Sequence, residues 1–308
     1  MNIKRRCLYT IANFLQFIPD KLMLSIQYRI RTGHRLHWKA PQRFSEKIQH
    51  YKAFYRNPEI TQCVDKYDVR NYVEQKLGTD VYLNTLYQVC DTADSIDFSA
   101  LPNQFIIKTT DGGNGDNVLI CRDKTKLDVN QAVRQVNSWR NKRYYIISRE
   151  WAYEGAKQSK VIVERLLIDP DNPTGSIDDY KILCYNGRFR FLWVDKGRYS
   201  NHHRGFWDEH LQFMPNKASD HPTFEAGTEP ALPANIQEMI DIAEKLAQGF
   251  PFARVDLYNI QGKIYFGEMT FYPLSGYCRF HPDSFDYELG RFFDIDSYGE
   301  YDKRKQSL

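Results

Sequence analysis

One segment, residues 252–270 (FARVDLYNIQGKIYFGEMT), constrains the fold most because it has the pattern of a β-hairpin. Two runs of apolar, β-forming residues flank a short turn at residues 259–262, which ends in glycine. Side chains alternate between the two faces of a strand, so the hairpin would place Asp256 and Glu268 on the same face of a sheet. Two neighbouring carboxylates suit a Mg²⁺ ion that also binds substrate phosphates. The alternative is a surface hairpin with two solvated acids.

Length and composition indicate a globular protein with room for more than one subdomain. The chain has 308 residues, a net charge of +3 and 15% aromatic residues. This length allows two or three subdomains around one cleft, which suits an enzyme with two substrates. The charge is spread along the chain and does not require nucleic acid or another polyanion as a partner. The six cysteines form no CxxC pair, which argues against a zinc ribbon and favours a reducing, cytoplasmic compartment.

The first 40 residues combine basic side chains with short apolar stretches. Polar residues and Pro19 interrupt the apolar run, so it is too short to span a bilayer, and no small-residue cleavage site follows. The pattern predicts two amphipathic helices separated at Pro19. Apolar positions of the second helix are Leu22, Leu24, Ile26 and Ile30, and basic positions of the segment are Lys4, Arg5, Arg6, Arg29, Arg31 and Lys39. Such helices would either rest on an anionic membrane surface or pack on the main body with a basic face towards solvent.

The rest of the chain alternates between helical and strand patterns. Helices are predicted within residues 44–76, where Gly78 provides a C-terminal cap, and at residues 130–141 and 235–249. Strands are predicted at residues 81–89, 104–108, 118–121 and 160–168, and a hairpin turns at Asn186-Gly187. Residues 197–233 show no regular pattern. Because many strands are linked as hairpins, the sequence predicts a mixed α+β fold rather than a doubly wound parallel sheet.

A glycine-rich loop at residues 109–117 (TTDGGNGDN) lies between two predicted strands. Its glycines are Gly112, Gly113 and Gly115, and Lys108 stands at its entry. Glycines let main-chain N–H groups approach an anion closely, and the lysine adds a positive charge, so this loop is a candidate phosphate-binding site. It has neither the GK[ST] of a Walker loop nor the following helix of a dinucleotide-binding fingerprint. The alternative is an ordinary turn.

Two further positions are candidates for nucleotide contacts. Asp65 can cap a helix, and Lys66 would then project from the first turn towards a phosphate, or simply into solvent. Glu164 follows an apolar strand and precedes an Arg-Leu-Leu run. Such a strand end can offer main-chain groups and an apolar face to a purine; the alternative is a strand end with a salt bridge.

The order of these segments resembles that of the TupA-like ATP-grasp family of cell-surface polysaccharide and teichuronopeptide biosynthesis. The resemblance rests on FIPDKL, RFSEKIQ, DKYDVRNYVEQKLG, DYKILCYNG and RVDLYNIQGKIYFGEMTFYPLSG, which together cover nearly the whole chain. It implies an α+β ATP-grasp fold, in which ATP lies between two α+β subdomains, and an N-terminal helical segment. We expect that segment at residues 1–60, the first part of the core at 61–100, a subdomain with the phosphate loop at 101–168, and a C-terminal subdomain with the metal and acceptor site at 169–308.

The resemblance implies a set of nucleotide-binding residues. Lys66 and Lys108 would contact the ATP phosphates, and the main chain of residues 112–115 would close over them as a lid. Asp179 would bind the ribose hydroxyls. The adenine slot would be lined by Glu164, Arg165, Leu166 and Leu167.

The resemblance also implies a metal and catalytic set. Asp256 and Glu268 would hold Mg²⁺. Thr270 stands where many ATP-grasp enzymes have an asparagine, and its hydroxyl could ligate the metal or orient a metal-bound water. Arg254 would lie beside the reacting carboxylate, and Lys181 would reach the γ-phosphate.

The segment GRYSNHHRGFWDEH is the candidate for acceptor recognition because it combines cationic donors with an aromatic ring. Its candidate residues are Arg198, His202, His203, Arg204 and Trp207, joined by Ser275 and Gly276 from the PLSG run. Arginine would pair with the carboxylate of a uronic acid, and tryptophan would stack on its ring. The adjacent histidines lack the i, i+4 spacing of a zinc site. The alternative is a basic surface loop.

The implied activity is a bacterial, ATP- and Mg²⁺-dependent ligase that forms an amide through an acylphosphate. It would attach an amino acid or another amine to a uronic acid or related carboxylate of a capsular, O-antigen or teichuronopeptide-type polysaccharide, in the cytoplasm or at the inner membrane surface. No Ser-His-Asp or Cys-His pattern suggests a covalent nucleophile. The alternatives are an ATP-grasp kinase, a glycosyltransferase that uses Asp169 and Asp171, and a nucleotide-binding module without turnover.

Overall fold

The computed structural model describes residues 15–112, 117–140, 144–155, 159–172, 175–198 and 201–296. The α-helices are α1 (Asp20–Thr32), α2 (Phe44–Phe54), α3 (Glu59–Val64), α4 (Asp68–Leu77), α5 (Val129–Arg140), α6 (Tyr144–Ser148), α7 (Trp151–Gly155), α8 (Ile236–Ala247) and α9 (Ser284–Arg291). The strands are β1 (Leu86–Cys90), β2 (Phe105–Thr109), β3 (Val118–Cys121), β4 (Val161–Arg165), β5 (Asp179–Tyr185), β6 (Arg188–Lys196), β7 (His203–Trp207), β8 (Phe252–Ile260) and β9 (Lys263–Thr270). Short 3₁₀ turns lie at Ala93–Ser95 and Lys124–Lys126, and Pro273–Gly276 forms a turn with left-handed backbone angles at Leu274 and Ser275.

The smaller sheet has four antiparallel strands in the order β1-β4-β2-β3. Strand β2 alternates as a half-buried strand should: Phe105 and Ile107 are fully buried, whereas Lys108 is half-buried and faces the opposite side. The buried face packs on α5 through Val136 and Trp139. The other face, here called the polar face, carries Lys108 and Glu164 beside Ile106 and Ile162.

The larger sheet has five antiparallel strands in the order β7-β6-β5-β8-β9. Helix α8 packs across β5, β6 and β8, and its apolar residues join the main core. At one end of the sheet Phe44 of α2 lies 5.1 Å from Phe252, measured between ring centroids. Phe252, Arg254 and Asp256 alternate along β8, so the face that begins in this aromatic core continues into charged side chains.

Hydrogen bonds join the smaller sheet and its helices to the edge of the larger sheet. The Phe266 N–H on β9 donates to the carbonyl of Tyr82 at 2.7 Å. The Arg165 guanidinium at the end of β4 donates to the Tyr265 hydroxyl at 2.9 Å. These contacts hold the polar face of the smaller sheet beside the charged face of the larger one.

The α+β prediction and both hairpins are confirmed. Asn186 and Gly187 have φ of 50° and 72°, and Gln261 and Gly262 have φ of 50° and 84°, as tight two-residue hairpin turns require. Helix α4 ends at Gly78 as predicted, with φ of 71°.

Other elements differ from the sequence predictions. The strand predicted at residues 81–89 is confined to Leu86–Cys90, and the stretch predicted to be irregular contains β7. Helix α9 was not predicted. Strand β1 pairs with β4, so a subdomain boundary at residue 100 divides one sheet. The short edge strand β7 has a glycine at its centre, which hides its alternation.

The N-terminal helix predicted after Pro19 is α1, which ends at Gly33; the helix predicted before Pro19 falls mainly on residues 1–14, outside the described residues. Leu24 is fully buried, while Leu22, Ile26 and Ile30 are exposed. The apolar positions therefore divide between two faces. None of the helices in the described ranges is both long and apolar enough to cross a bilayer.

Candidate active site

The candidate site lies on one face of the larger sheet. Lys181 on β5, Asp256 on β8 and Glu268 on β9 are directly opposite one another in the strand register. Opposite residues on antiparallel strands point to the same side, so these side chains form one row. The prediction that the hairpin places its two carboxylates on one face is confirmed.

Asp256 is at the centre of a buried charge network. Its side chain is 2% exposed. Arg254 donates to both of its oxygens, with Nε–Oδ1 and Nη2–Oδ2 distances of 2.7 Å, and Lys181 donates from Nζ to Oδ2 at 2.7 Å. Burial raises the pKa of Asp256 to about 6 against the lowering effect of both cations, so the carboxylate is ionised at neutral pH.

Glu268 is the accessible member of the pair, with 42% of its side chain exposed. Its Oε1 accepts from Arg254 Nη2 at 3.3 Å and from the Thr270 hydroxyl at 3.2 Å. Partial burial raises the pKa of Glu268, but the charges of Lys66 and Arg254 outweigh this and lower it to about 2. Glu268 is therefore a permanent anion that faces the cleft.

A bulge in the hairpin sets the relation between these carboxylates. The register shifts between Asp256 and Leu257, where Gly267 stands on β9. A Cβ on Gly267 would lie 2.9 Å from the Asp256 carbonyl oxygen and 3.2 Å from the Tyr258 ring. Only glycine allows the two backbones to approach this closely, and the bulge directs Glu268 towards the cleft.

Asp179 continues the charged face one row further along β5. It is 3% exposed, its Oδ2 accepts from Lys181, and Arg198 Nη1 lies 3.5 Å from the same oxygen. Its Oδ1 is buried and has no hydrogen-bond partner among the described residues. Buried polar atoms are normally paired, so this oxygen, although enclosed by its neighbours, retains unused capacity to accept a hydrogen bond.

Sequence reasoning missed Asp195, which extends the network to β6. Its Oδ2 lies 3.9 Å from Lys181 Nζ, and its Oδ1 accepts from Trp193 Nε1 at 3.0 Å and from Arg204 Nε at 2.6 Å. Burial raises the pKa of Asp195, but the hydrogen bond with His202 and the charges of Arg204 and Lys181 outweigh it and hold the pKa well below its usual range. The signal in the sequence was an aspartate at the end of the apolar run FLWV, where a buried acid requires partners.

The polar face of the smaller sheet carries a second charged group. Glu164 on β4 is 6% exposed and lies 2.9 Å from Lys108 Nζ and 3.1 Å from Arg70 Nη1. Arg70, from α4, was not predicted. It also donates to the Asn84 carbonyl at 2.8 Å. Lys108 and Glu164, predicted separately, are thus brought together.

Lys66 contacts the loop of the smaller sheet, and its charge interacts with Glu268 on the larger sheet. Asp65 caps the next helix by accepting the Tyr67 and Asp68 N–H groups at 2.8 and 3.0 Å, as predicted for a capping acid. The Lys66 ammonium then reaches the glycine-rich loop, where it donates to the Gly112 carbonyl. Burial lowers the pKa of Lys66, and the nearby Glu268 opposes this. A lysine of the loop side and a carboxylate of the larger sheet therefore share one cleft.

The loop itself is tightly built where it is described. A Cβ on Gly112 would lie 2.7 Å from the Asn117 Cβ and 3.1 Å from the Thr109 hydroxyl. Gly113 and Gly115 lie outside the described residues, so the predicted lid is described only up to Gly112.

At the strand end predicted to line the adenine slot, the main-chain groups differ in whether they already have hydrogen-bond partners among the described residues. The Arg165 N–H donates to the Thr85 carbonyl at 2.9 Å, and its carbonyl accepts from Asn84 Nδ2 at 2.8 Å. Within the described ranges, the main-chain groups of Leu166 and Leu167 have no hydrogen-bond partner. These two residues can therefore offer main-chain donors and acceptors to a base, while those of Arg165 are occupied.

The predicted acceptor residues separate into buried and accessible ones. Arg204 is 5% exposed and binds Asp195, and Trp207 is 3% exposed and packs on Phe213 with ring centroids 5.0 Å apart. Neither presents a surface to a sugar, because both belong to β7 rather than to an open loop. Arg198 remains at the site, beside Asp179.

The two predicted histidines lie near each other but in different surroundings. His202 Nε2 is 3.1 Å from Asp195 Oδ1, and its ring is 3.9 Å from that of His221. His203 stacks on Phe224 with ring centroids 5.6 Å apart. His202 is thus next to the charge network, and His203 lies on the outer side of β7.

The oxygen donors of the site suit a Mg²⁺ ion that also binds phosphates. Glu268 offers an accessible carboxylate, Thr270 a hydroxyl, and Asp256 a carboxylate whose two oxygens accept from Arg254 and Lys181. Among the described residues, no three His, Cys, Asp or Glu side chains converge as a complete metal site. The residues fit an ion that takes its remaining ligands from phosphate and water.

Two antiparallel sheets, one bearing Lys108 beside a glycine-rich loop and the other bearing paired carboxylates, agree with an ATP-grasp fold. The chain belongs to the TupA-like ATP-grasp family, whose model matches residues 46–294. The suspected family is confirmed. No curated protein sequence matches the chain.

Similar solved structures share little sequence with this chain. The L-amino acid ligase from Bacillus licheniformis is 15% identical, with 85% of this chain and 57% of that chain covered and a TM-score of 0.46. The D-alanine–D-alanine ligase from Helicobacter pylori is 15% identical, with 81% and 68% covered and a TM-score of 0.44. The Bacillus anthracis D-alanine–D-alanine ligase is 16% identical, with 68% and 57% covered and a TM-score of 0.41. The match therefore spans little more than half of this last ligase.

Proposed function

We propose that the protein is an ATP- and Mg²⁺-dependent ligase that joins an amine to a carboxylate. The observation that carries this proposal is the opposed pair Asp256 and Glu268, with Arg254 bound to both and the charge of Lys66 acting on Glu268. Family membership supports the same reading. Such a site has the cations and carboxylates that phosphoryl transfer from ATP requires.

In this proposal the nucleotide lies between the two sheets. Leu166 and Leu167 offer free main-chain groups to adenine, and the unpaired Asp179 oxygen accepts a ribose hydroxyl. Lys66 and Lys108 then neutralise phosphate charge, which releases their present contacts with Gly112 and Glu164. Mg²⁺ held by Glu268, Asp256 and Thr270 would supply further charge neutralisation for the phosphates.

The chain's residues act by binding and positioning rather than by covalent catalysis. A carboxylate oxygen of the acceptor attacks the γ-phosphorus of ATP, and the bond to the β,γ-bridging oxygen breaks as ADP leaves. The amine nitrogen then attacks the acyl carbon, inorganic phosphate leaves and the nitrogen loses a proton. Arg254, fixed by Asp256, carries a permanent positive charge beside these steps, because the pKa of Arg254 is raised by that contact despite burial. Lys181 is held between Asp179 and Asp256 and would approach the γ-phosphate.

We propose that the acceptor is a uronic acid or related carboxylate of a surface polysaccharide precursor, and that the amine is an amino acid or similar compound. Arg198 supports this substrate class, because its guanidinium stands beside Asp179 and its charge reaches Glu268. His202 lies on the same side through Asp195. Asp169 and Asp171, the alternative glycosyltransferase motif, lie in a turn in which Asp171 is exposed and Asp169 is partly buried, and this arrangement gives that alternative no support.

The test is ATP turnover with Mg²⁺ against a matrix of uronic acids, polysaccharide repeat units and amino acids, followed by mass spectrometry. Glu268→Gln is the site variant, and Glu238→Gln, at an exposed position of α8, is the control. We expect ADP, phosphate and an amide adduct from the unmodified protein and the control, and none from Glu268→Gln. A phosphate ester would indicate a kinase, consumption of a nucleotide sugar would indicate a glycosyltransferase, and ATP binding without ADP would indicate a binding module. Any of these three results overturns the ligase proposal.

We also propose that α1 brings the protein to an anionic membrane surface, where lipid-linked acceptors would be found. Phe17, Leu22, Ile26 and Ile30 are 80%, 54%, 43% and 73% exposed. Leu22, Ile26 and Ile30 recur every four residues and form a stripe along one side of the helix. Residues 15–40 contain five lysines and arginines against one acid, Asp20, which pairs with Arg149 at 2.9 Å. An apolar stripe with a basic rim suits the interface of an anionic bilayer.

Flotation of the full chain with phosphatidylglycerol vesicles tests this location. The variant Leu22→Ser/Ile26→Ser/Ile30→Ser should lose binding, and the control Val81→Ser/Ile120→Ser, which removes exposed apolar side chains elsewhere, should retain it. Vesicles of phosphatidylcholine alone should bind weakly. Equal flotation of the stripe variant and the control would exclude the proposed surface.

A further inference from the structure

The loop Pro273–Gly276 follows β9 closely and has an unusual backbone. Leu274, Ser275 and Gly276 have consecutive φ values of 48°, 55° and 68°. Two of these residues are not glycine, and left-handed conformations of such residues persist only where the surroundings hold them. The contacts that hold this loop are therefore informative.

Two side chains of α2 donate hydrogen bonds to the loop carbonyls. Gln49 Nε2 donates to the carbonyls of Ser275 and Gly276, both at 2.9 Å. Lys52 Nζ donates to the Ser275 carbonyl at 2.9 Å and to the Ser148 carbonyl at 3.1 Å. Gln49 and Lys52 are three residues apart and so lie on the same side of the helix.

A third contact to the loop comes from the segment between α6 and α7. The Ser275 hydroxyl donates to Glu150, which lies between α6 and α7. Lys52 therefore bonds to a carbonyl at the end of α6 and to a carbonyl of the loop, while Glu150 bonds to the loop side chain. The loop is clamped between α2 and residues 148–150.

Lys52 is an unexpected residue for this position. It is 1% exposed, and its ammonium lies 4.7 Å from the centre of the Tyr277 ring. Burial lowers the pKa of Lys52 to about 7, against the raising effect of Glu150 and Asp20, while Arg31 lowers it further. Burying a lysine is unfavourable, and the hydrogen bonds from Lys52 to the Ser275 and Ser148 carbonyls offset part of this cost.

The clamp adjoins the candidate site. Burial raises the pKa of Tyr153 on α7, and the charges of Glu150 in the clamp and of Glu268 in the candidate site raise it further. Only residues 271 and 272 separate β9, which ends at Thr270, from the loop. A shift of the loop would therefore change the position of residues at the expected acceptor site.

We propose that Lys52 is a positioning residue that fixes the left-handed conformation of the loop Pro273–Gly276 for binding of the acceptor substrate. This inference rests on the proposed function, because it assigns the loop to the acceptor side of that site. Lys52 does not touch substrate in this arrangement; it acts through the Ser275 carbonyl.

The experiment compares Lys52→Met, Lys52→Arg and the control Lys47→Met by hydrogen–deuterium exchange and by kinetics. Lys47 is a second lysine of α2 that donates to carbonyls, but to those of Gly290 and Phe293 at 2.9 and 2.8 Å, away from the loop. We expect Lys52→Met to raise exchange at residues 271–278 about tenfold, to leave residues 252–268 unchanged, and to be partly rescued by Lys52→Arg. Lys47→Met should leave exchange at residues 271–278 unaltered.

Kinetics with the substrate pair identified by the turnover matrix give the functional measurement. Lys52→Met should raise the acceptor KM about tenfold and leave the KM for ATP within about twofold. If Lys52→Met does not fold, Glu150→Gln removes the charge of the third contact and should give the same pattern more weakly. Unchanged exchange at residues 271–278, or equal effects on both KM values, would overturn the inference. If no pair is turned over, the ligase proposal fails, and the exchange result alone decides whether Lys52 holds the loop.

Discussion

Asp256 and Glu268 lie directly opposite each other on β8 and β9, yet the pKa of Asp256 is raised to about 6 and that of Glu268 is lowered to about 2. Asp256 is 2% exposed, and the cost of burying its charge exceeds the benefit from Arg254 and Lys181. Glu268 is 42% exposed and receives the fields of Lys66 and Arg254. The inner carboxylate therefore organises the cations, and the outer one faces the cleft.

Asp256→Asn should destabilise the fold. The asparagine amide would place an N–H₂ donor where an Asp256 oxygen now accepts from Arg254 or Lys181, and leaving such a buried donor without an acceptor costs about 1–3 kcal/mol. Urea unfolding measures this loss. The control Asp241→Asn changes an exposed acid of α8 that accepts from Gln237, and it should shift stability by less than about 0.5 kcal/mol. Equal effects of both substitutions would contradict the buried-network interpretation.

Glu268→Gln should affect ATP turnover far more than stability. The side chain is partly exposed, so the loss of its charge leaves no deeply buried partner without compensation. Glu268 would hold the Mg²⁺ that neutralises the phosphates, and loss of one such electrostatic contact typically lowers kcat about a hundredfold or more. ATP turnover measures the loss of activity, and thermal unfolding of the same preparation measures any loss of stability. A variant that unfolds but remains active when folded would contradict this prediction.

Gly267→Ala should separate the two carboxylates. The new Cβ would lie 2.9 Å from the Asp256 carbonyl oxygen, a contact with backbone that no side-chain movement relieves. Overpacking of this kind costs about 1–3 kcal/mol, and the displaced Glu268 should lower turnover about tenfold or more. Lys263→Ala, on the exposed end of the same strand, is the control. A crystal structure of Gly267→Ala with an unchanged bulge would refute the argument.

His50 should make the protein sensitive to acid. Burial and the nearby Lys21 lower the pKa of His50 from 6.5 to about 4. Between pH 4 and 6.5 the His50 imidazole is protonated more readily in the unfolded state than in the folded state. The free energy of unfolding is therefore highest above pH 6.5 and decreases as pH falls towards 4. The shift corresponds to about 3 kcal/mol.

Urea unfolding between pH 4 and 7 measures this acid sensitivity. His50→Gln should flatten the stability profile in that window, whereas His210→Gln, at an exposed position, should not. If the two variants show the same slope, His50 is not the responsible group.

The local parts of the fold and site were predictable from the sequence because their signals are local. The Asp256–Glu268 hairpin follows from a period of two and a glycine turn, and the Asp65 cap and the Gly78 helix end follow from preferences of single residues. Strand β7 was missed because it is a short edge strand around Gly205. Because β7 was missed, Trp207 was predicted to lie in an exposed loop and to contact the acceptor.

The sequence by itself determined the α+β class, the hairpins and the residue types that can hold phosphate and metal, because these depend on neighbours in the chain. Tertiary structure decided which charges meet. Lys66 and Glu268 are about 200 residues apart, and the burial of Asp195 beside Lys181 depends on the pairing of β5 with β6. The clamp of Lys52 on the Ser275 carbonyl likewise joins residues 223 positions apart. Such contacts arise from packing and long-range strand pairing, which no local pattern encodes.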